Sequence, residues 1–108
     1  MLEVLALKPL LTAIIGRDKV ENAKPAPDAY LAAVAAVGVP AASCLVLEDS
    51  LNGVRSAVAA GVAVVAVANE FTEADLRSQT VLDQRWCVYE SRQLRAVVEA
   101  RCLAMPTA

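Results

Sequence analysis

Three ionisable residues carry the chemistry this sequence offers. Glu48 and Asp49 are adjacent after the apolar run "CLVL", and Lys24 lies in the stretch "KPAPDAY". Two carboxylates about 4 Å apart repel by about 4 kcal/mol at an effective dielectric of about 20, so keeping both ionised calls for a counter-charge. A hard divalent cation with oxygen ligands, magnesium above all, is the usual solution. The plainer reading of the same residues is a helix cap, with Asp49 or Ser50 capping a helix that begins near Leu51 and Glu48 close to its positive end. Lys24 sits in a loop stiffened by Pro25 and Pro27, where an ammonium can balance a phosphate or crowded carboxylates. Taken alone, it reads as a solvated loop lysine. The chain has no histidine, which excludes His-based acid–base catalysis, Ser-His triads and imidazole metal ligation.

The elements that must position these residues follow from the periodicity. Residues 2–8 read as the end of a helix, and "LLTAIIG" (10–16) as a short strand closed by Gly16. The polar segment "RDKVENAKPAP" is a loop, because Pro25 and Pro27 forbid a helix interior. "DAYLAAVAAVG" is a helix with Asp28 as N-cap and Tyr30, Leu31, Val34 and Val37 at helical spacing; Gly38 stops it and Pro40 follows. "SCLVLED" (43–49) is a buried strand. "SLNGVRSAVAAG" is a second helix with Leu51, Val54, Ala57 and Val58 on one face, ended by Gly61. "VAVVAVAN" (62–69) is too apolar for a strand with one solvated face, so it is expected to be covered on both sides. "TEADLRSQTVL" is a short helix, "RWCVY" an edge strand and "SRQLRAVVEARCLA" a final helix. Alternating strands and helices with short connections make a right-handed, mostly parallel α/β layer. In such sheets ligands gather outside the carboxyl ends of the strands, where Glu48, Asp49 and Lys24 all fall.

The 108 residues amount to one domain, and the composition is 57% hydrophobic with 4% aromatic. Ala, Val and Leu must therefore fill the core, which suits helices on an aliphatic sheet. The net charge is −2 with the signs interspersed, so the basic footprint of a nucleic-acid binder is missing. Cys44, Cys87 and Cys102 are widely spaced, without disulfide or zinc spacing, and read as reduced thiols of a cytoplasmic protein. The opening "MLEVLALKPLLTAII" carries Glu3 and Lys8 and is neither a signal peptide nor a membrane span. Trp86 reads as a packing residue, Cys44 as a small core residue, and Arg92, Arg95, Glu99 and Arg101 as the exposed face of the last helix.

The Lys-Pro loop, the helix, and the apolar strand ending in Glu-Asp-Ser with a glycine three residues on are jointly far more specific than any one of them. The combination resembles the haloacid dehalogenase superfamily of phosphohydrolases, in its β-phosphoglucomutase-like and CbbY-like branch. "GRDKVENAKPAPDAYLAAVAAVGV" looks like that branch's third motif, "CLVLEDSLNGVRSAVAAGV" like its fourth, and "AVANEFTEADL" like the loop after the next strand. The resemblance implies a Rossmann-like three-layer α/β sandwich with a mostly parallel sheet. Residues 1–108 would form a partial core domain, without the first strands and the cap. It also implies Mg²⁺-dependent phosphoryl transfer on small phosphorylated metabolites. Lys24 would steady the nucleophile and the phosphoryl group, Asp49 would ligate Mg²⁺, and Glu48 would bind it directly or through water. Ser50 and Gly53 would shape the turn, Gly53 letting the helix approach closely. The family's Asp-x-Asp nucleophile motif occurs nowhere in these residues, so the chain is expected to be inactive alone, with weak or no Mg²⁺ binding. The family's first strand pairs beside the strand ending at Glu48, so its absence exposes an apolar edge for self-association or for a missing N-terminal half. The alternative is a non-catalytic binding or assembly module derived from such a hydrolase. A receiver-like domain fits worse, because its acidic pair lies near the first strand. Neither nucleic acid nor membrane is an expected partner.

Overall fold

The computed structural model describes residues 27–105 of the chain. The expected helix at 2–8, the strand at 10–16 and Lys24 with its loop lie outside the described residues. From Pro27 onward the order is α1 (Asp28–Val37), β1 (Leu45–Glu48), α2 (Leu51–Ala59), β2 (Ala63–Val67), α3 (Glu73–Ser78), β3 (Cys87–Val88) and α4 (Leu94–Leu103). The three strands form one parallel sheet in the order β1-β2-β3. Leu45 pairs with Ala63 and Glu48 with Ala66, so Glu48 ends its strand at the carboxyl edge. This is the layered α/β arrangement expected from the alternating pattern.

β2 is the central described strand, and side-chain alternation divides the core between its two faces. Val64 and Ala66 pack with Val54 and Ala57 of α2, and with Leu76, Leu82, Trp86 and Cys87. Val65 joins Val88 and Val98 of α4 on the opposite face. The expectation that this strand is covered on both sides holds. β1 is different: Leu45, Val46 and Leu47 are only half-buried, and among the described strands nothing lies beyond it.

The glycine stops act as expected. Gly38 adopts φ +79° and its N–H reaches the Val34 carbonyl at 3.1 Å, and Gly61 adopts φ +75° after α2, a conformation open to residues lacking Cβ.

Several boundaries shift for identifiable reasons. Asp28 is not the N-cap of α1: Pro27, with φ −75° and ψ −4°, already lies in the helical region. Its carbonyl takes the Leu31 N–H at 2.9 Å, so proline's fixed φ starts the helix one residue early. The strand foreseen over 43–49 is trimmed to Leu45–Glu48, because a 3-10 turn (Ala41–Ser43) follows Pro40. Cys44 consequently precedes the strand, half-buried, with its thiol donating to the Pro40 carbonyl at 3.4 Å. α3 stops at Ser78, short of residue 82, because the Gln79 amide both accepts from the Leu82 N–H (2.7 Å) and donates to its carbonyl (2.8 Å). The edge strand contracts to Cys87–Val88 because the Asp83 carboxylate accepts from the Arg85 N–H at 2.9 Å and winds 84–86 into a 3-10 turn. Val58 is 41% exposed, so the buried face of α2 is Gly53, Val54, Ser56 and Ala57.

Candidate active site

The acidic pair occupies the turn between β1 and α2. A strand sends successive side chains to opposite sides, and the turn after it gives the two carboxylates different surroundings. Glu48 is 6% exposed, whereas Asp49 is exposed. Adjacency in sequence therefore does not make one uniform charged doublet.

Glu48 folds back over the first turn of α2. Its Oε1 accepts from the Asp49 N–H at 3.1 Å and from the Ser50 hydroxyl at 3.4 Å, and its Oε2 accepts from the Tyr30 hydroxyl. Ser50 caps α2, its Oγ accepting the Gly53 N–H at 3.0 Å. The cap foreseen for Asp49 or Ser50 is thus Ser50, and one hydroxyl serves both the helix and the carboxylate. The amide end of α2 favours the negative charge of Glu48.

Gly53 has a specific reason to be glycine. A Cβ placed there would lie 1.9 Å from Glu48 Cδ and 2.3 Å from its Oε1, so the carboxylate lies in the space that a side chain would fill. What the backbone of α2 approaches at this glycine is the Glu48 side chain.

Tyr30 was foreseen only as an apolar position of α1. Its hydroxyl instead spans 18 positions of sequence to reach Glu48. Burial, followed by the Glu48 hydrogen bond and the Glu48 and Asp49 charges, pushes its phenol far above the ordinary tyrosine value, so it stays a proton donor. The helical spacing that placed it on the inner face of α1 was the available signal; nothing local marked its partner.

At the same edge, Asn69 organises the loop after β2. Its side-chain oxygen accepts from the N–H groups of Phe71 (2.8 Å) and Thr72 (3.0 Å), and its own N–H donates to the Thr72 hydroxyl at 3.0 Å. This leaves Phe71 84% exposed.

The donor set suits a hard cation. Magnesium is commonly held by one or two carboxylates, with water and phosphate oxygens completing its shell. Asp49 presents an exposed carboxylate, and Glu48 an oriented one beside it. Among the described residues no cluster of three or more His, Cys, Asp or Glu could cage a metal by itself.

The sequence profile of the haloacid dehalogenase-like hydrolases matches residues 1–67. The CbbY protein of Rhodobacter capsulatus is 46% identical over 66 residues, covering 61% of this chain and 29% of that protein. The bifunctional riboflavin kinase/FMN phosphatase of Arabidopsis thaliana is 38% identical over 84 residues, covering 72% of this chain and 22% of that protein. Among solved structures, a HAD hydrolase of family IA, variant 3, from Entamoeba histolytica superimposes with a TM-score of 0.53 at 26% identity, over 77% of this chain and 39% of that one. The chain therefore spans well under half the length of these relatives. A parallel sheet with an acidic turn at its carboxyl edge, matched by a family profile across more than half the sequence, has one consistent origin: the chain belongs to the haloacid dehalogenase-like hydrolase family.

Proposed function

We propose that this chain supplies the acidic and lysine side of a phosphohydrolase site acting on small phosphorylated metabolites. The observation that carries this is the asymmetric pair at the end of β1, an oriented, buried Glu48 beside an exposed Asp49. Asp49 is the direct magnesium ligand, and Glu48, with Tyr30 and Ser50 on its oxygens, acts through water and by shaping the turn. Lys24 balances the phosphoryl charge. Magnesium, when bound, offsets charge on the phosphoryl oxygens. Relatives named as phosphatases, including the Arabidopsis FMN phosphatase, support this substrate class.

These residues hold no Asp-x-Asp pair, so covalent transfer requires an attacking aspartate from a further segment. β1, beyond which no described strand lies, suits a parallel strand carrying it. The same edge favours assembly as the second reading.

The test is Mg²⁺-dependent hydrolysis of p-nitrophenyl phosphate by the chain alone and with an N-terminal core segment of a CbbY-type relative added in trans. Activity is expected only in the mixture, falling about 100-fold or more in Asp49→Ala. Turnover by the isolated chain that Asp49→Ala abolishes would refute the need for an outside nucleophile. An inactive mixture that still forms a stable complex would favour the assembly reading.

A further inference from the structure

A concave site lies at the end of the sheet opposite the acidic turn. A cleft of about 370 Å³ opens where α2 ends and β2 begins, within the size range of small-molecule sites. Val58, Val62, Val81, Leu82 and Trp86 line it, together with Arg101 of α4. The last helix was expected to carry Arg101 on its exposed face. Instead its Cζ lies 5.0 Å from the Trp86 ring centroid and its Nε is buried with no hydrogen-bond partner. An arginine stacked on indole keeps its in-plane donors available, and a buried cationic N–H without an acceptor is costly.

The surrounding charge narrows what would complete it. The nearby carboxylate, Asp83, already pairs with Arg85 Nε at 3.3 Å, and Arg85 itself lies 4.5 Å from the Trp86 centroid. Two guanidiniums against one carboxylate leave an excess of one positive charge. The carbonyl end of α2 borders the cleft at Gly61 and disfavours further negative charge. A monoanion is matched; a dianion is not.

We propose that this cleft binds a small organic carboxylate with an apolar body, the carboxylate on Arg101 and the body against Trp86 and the valine rim. The site is independent of the acidic edge and of the hydrolase reading, since it uses none of those residues.

Trp86 is the only tryptophan in the chain, so it reports on the site directly. The full chain would be titrated with sodium benzoate at constant ionic strength, following the indole N–H cross-peak and tryptophan emission. Inorganic phosphate and chloride serve as parallel titrants. A saturable shift with a dissociation constant on the order of 1 mM is expected for benzoate, and little response to the other two. Arg101→Gln should weaken binding about tenfold or more. Val58→Glu, at a rim position already 41% exposed, should weaken it through charge while leaving the fold's amide spectrum intact. Absence of saturation, an equal benzoate response in both variants, or phosphate matching benzoate would overturn the proposal.

Discussion

Glu48 shows how a residue's chemistry is set by what it leans on. Its side chain occupies the space beside Gly53 that any other amino acid would claim, and among the described residues Tyr30, Ser50 and the Asp49 N–H donate to the carboxylate there. Gly53→Ala must displace either Glu48 or the first turn of α2. A cost of about 1–3 kcal/mol is expected, read from urea denaturation. The direction opposes helix propensity, by which alanine should stabilise an interior helical position. A stabilised Gly53→Ala variant would show that Glu48 does not need this space.

At the scale of elements, α1 and β1 stand apart from the rest. Nine of the ten residues "DAYLAAVAAV" are apolar, yet none is buried, and Leu31 is 51% exposed. Helices apolar all round are normally enclosed by protein, and β1, an apolar strand with no outer neighbour among the described strands, is a template for pairing. The isolated chain is therefore expected to associate as its concentration rises, in sedimentation velocity. Leu31→Lys, at an already exposed position, should shift it toward monomer. A monomer at every concentration, with slow amide exchange along β1, would contradict this.

For the whole molecule, the phenols tie stability to alkaline pH. Tyr30 is raised well above its ordinary value, chiefly by burial and the Glu48 bond, and Tyr89 is pushed up to about 12, chiefly by burial. Both raised values mean that the folded state holds its phenolic protons more tightly than the unfolded chain. Their contribution is complete below about pH 10, the unfolded tyrosine value, and is lost as pH rises through the folded values. Urea midpoints are expected to fall above about pH 10, less steeply in Tyr30→Phe. A Tyr30→Phe variant with an unchanged alkaline slope would remove Tyr30 from this linkage.

Much of this was legible in the primary structure, because the relevant signals are local. Apolar runs and glycine stops placed α1, β1, α2 and β2 to within a few residues, and the strand–helix alternation placed Glu48 and Asp49 at the carboxyl edge of a parallel sheet. Among the described helices no 18-residue apolar window long enough to cross a membrane occurs. Side-chain amides and short turns that reshape boundaries, as Gln79 and Asp83 do, leave no periodic trace. Only the tertiary structure decided that Glu48 turns inward while Asp49 faces solvent, that Tyr30 meets Glu48, and that Arg101 lies over Trp86 beside a cleft. Those pairings depend on how helices cross the sheet and on strand register, which bring together residues that no local pattern links.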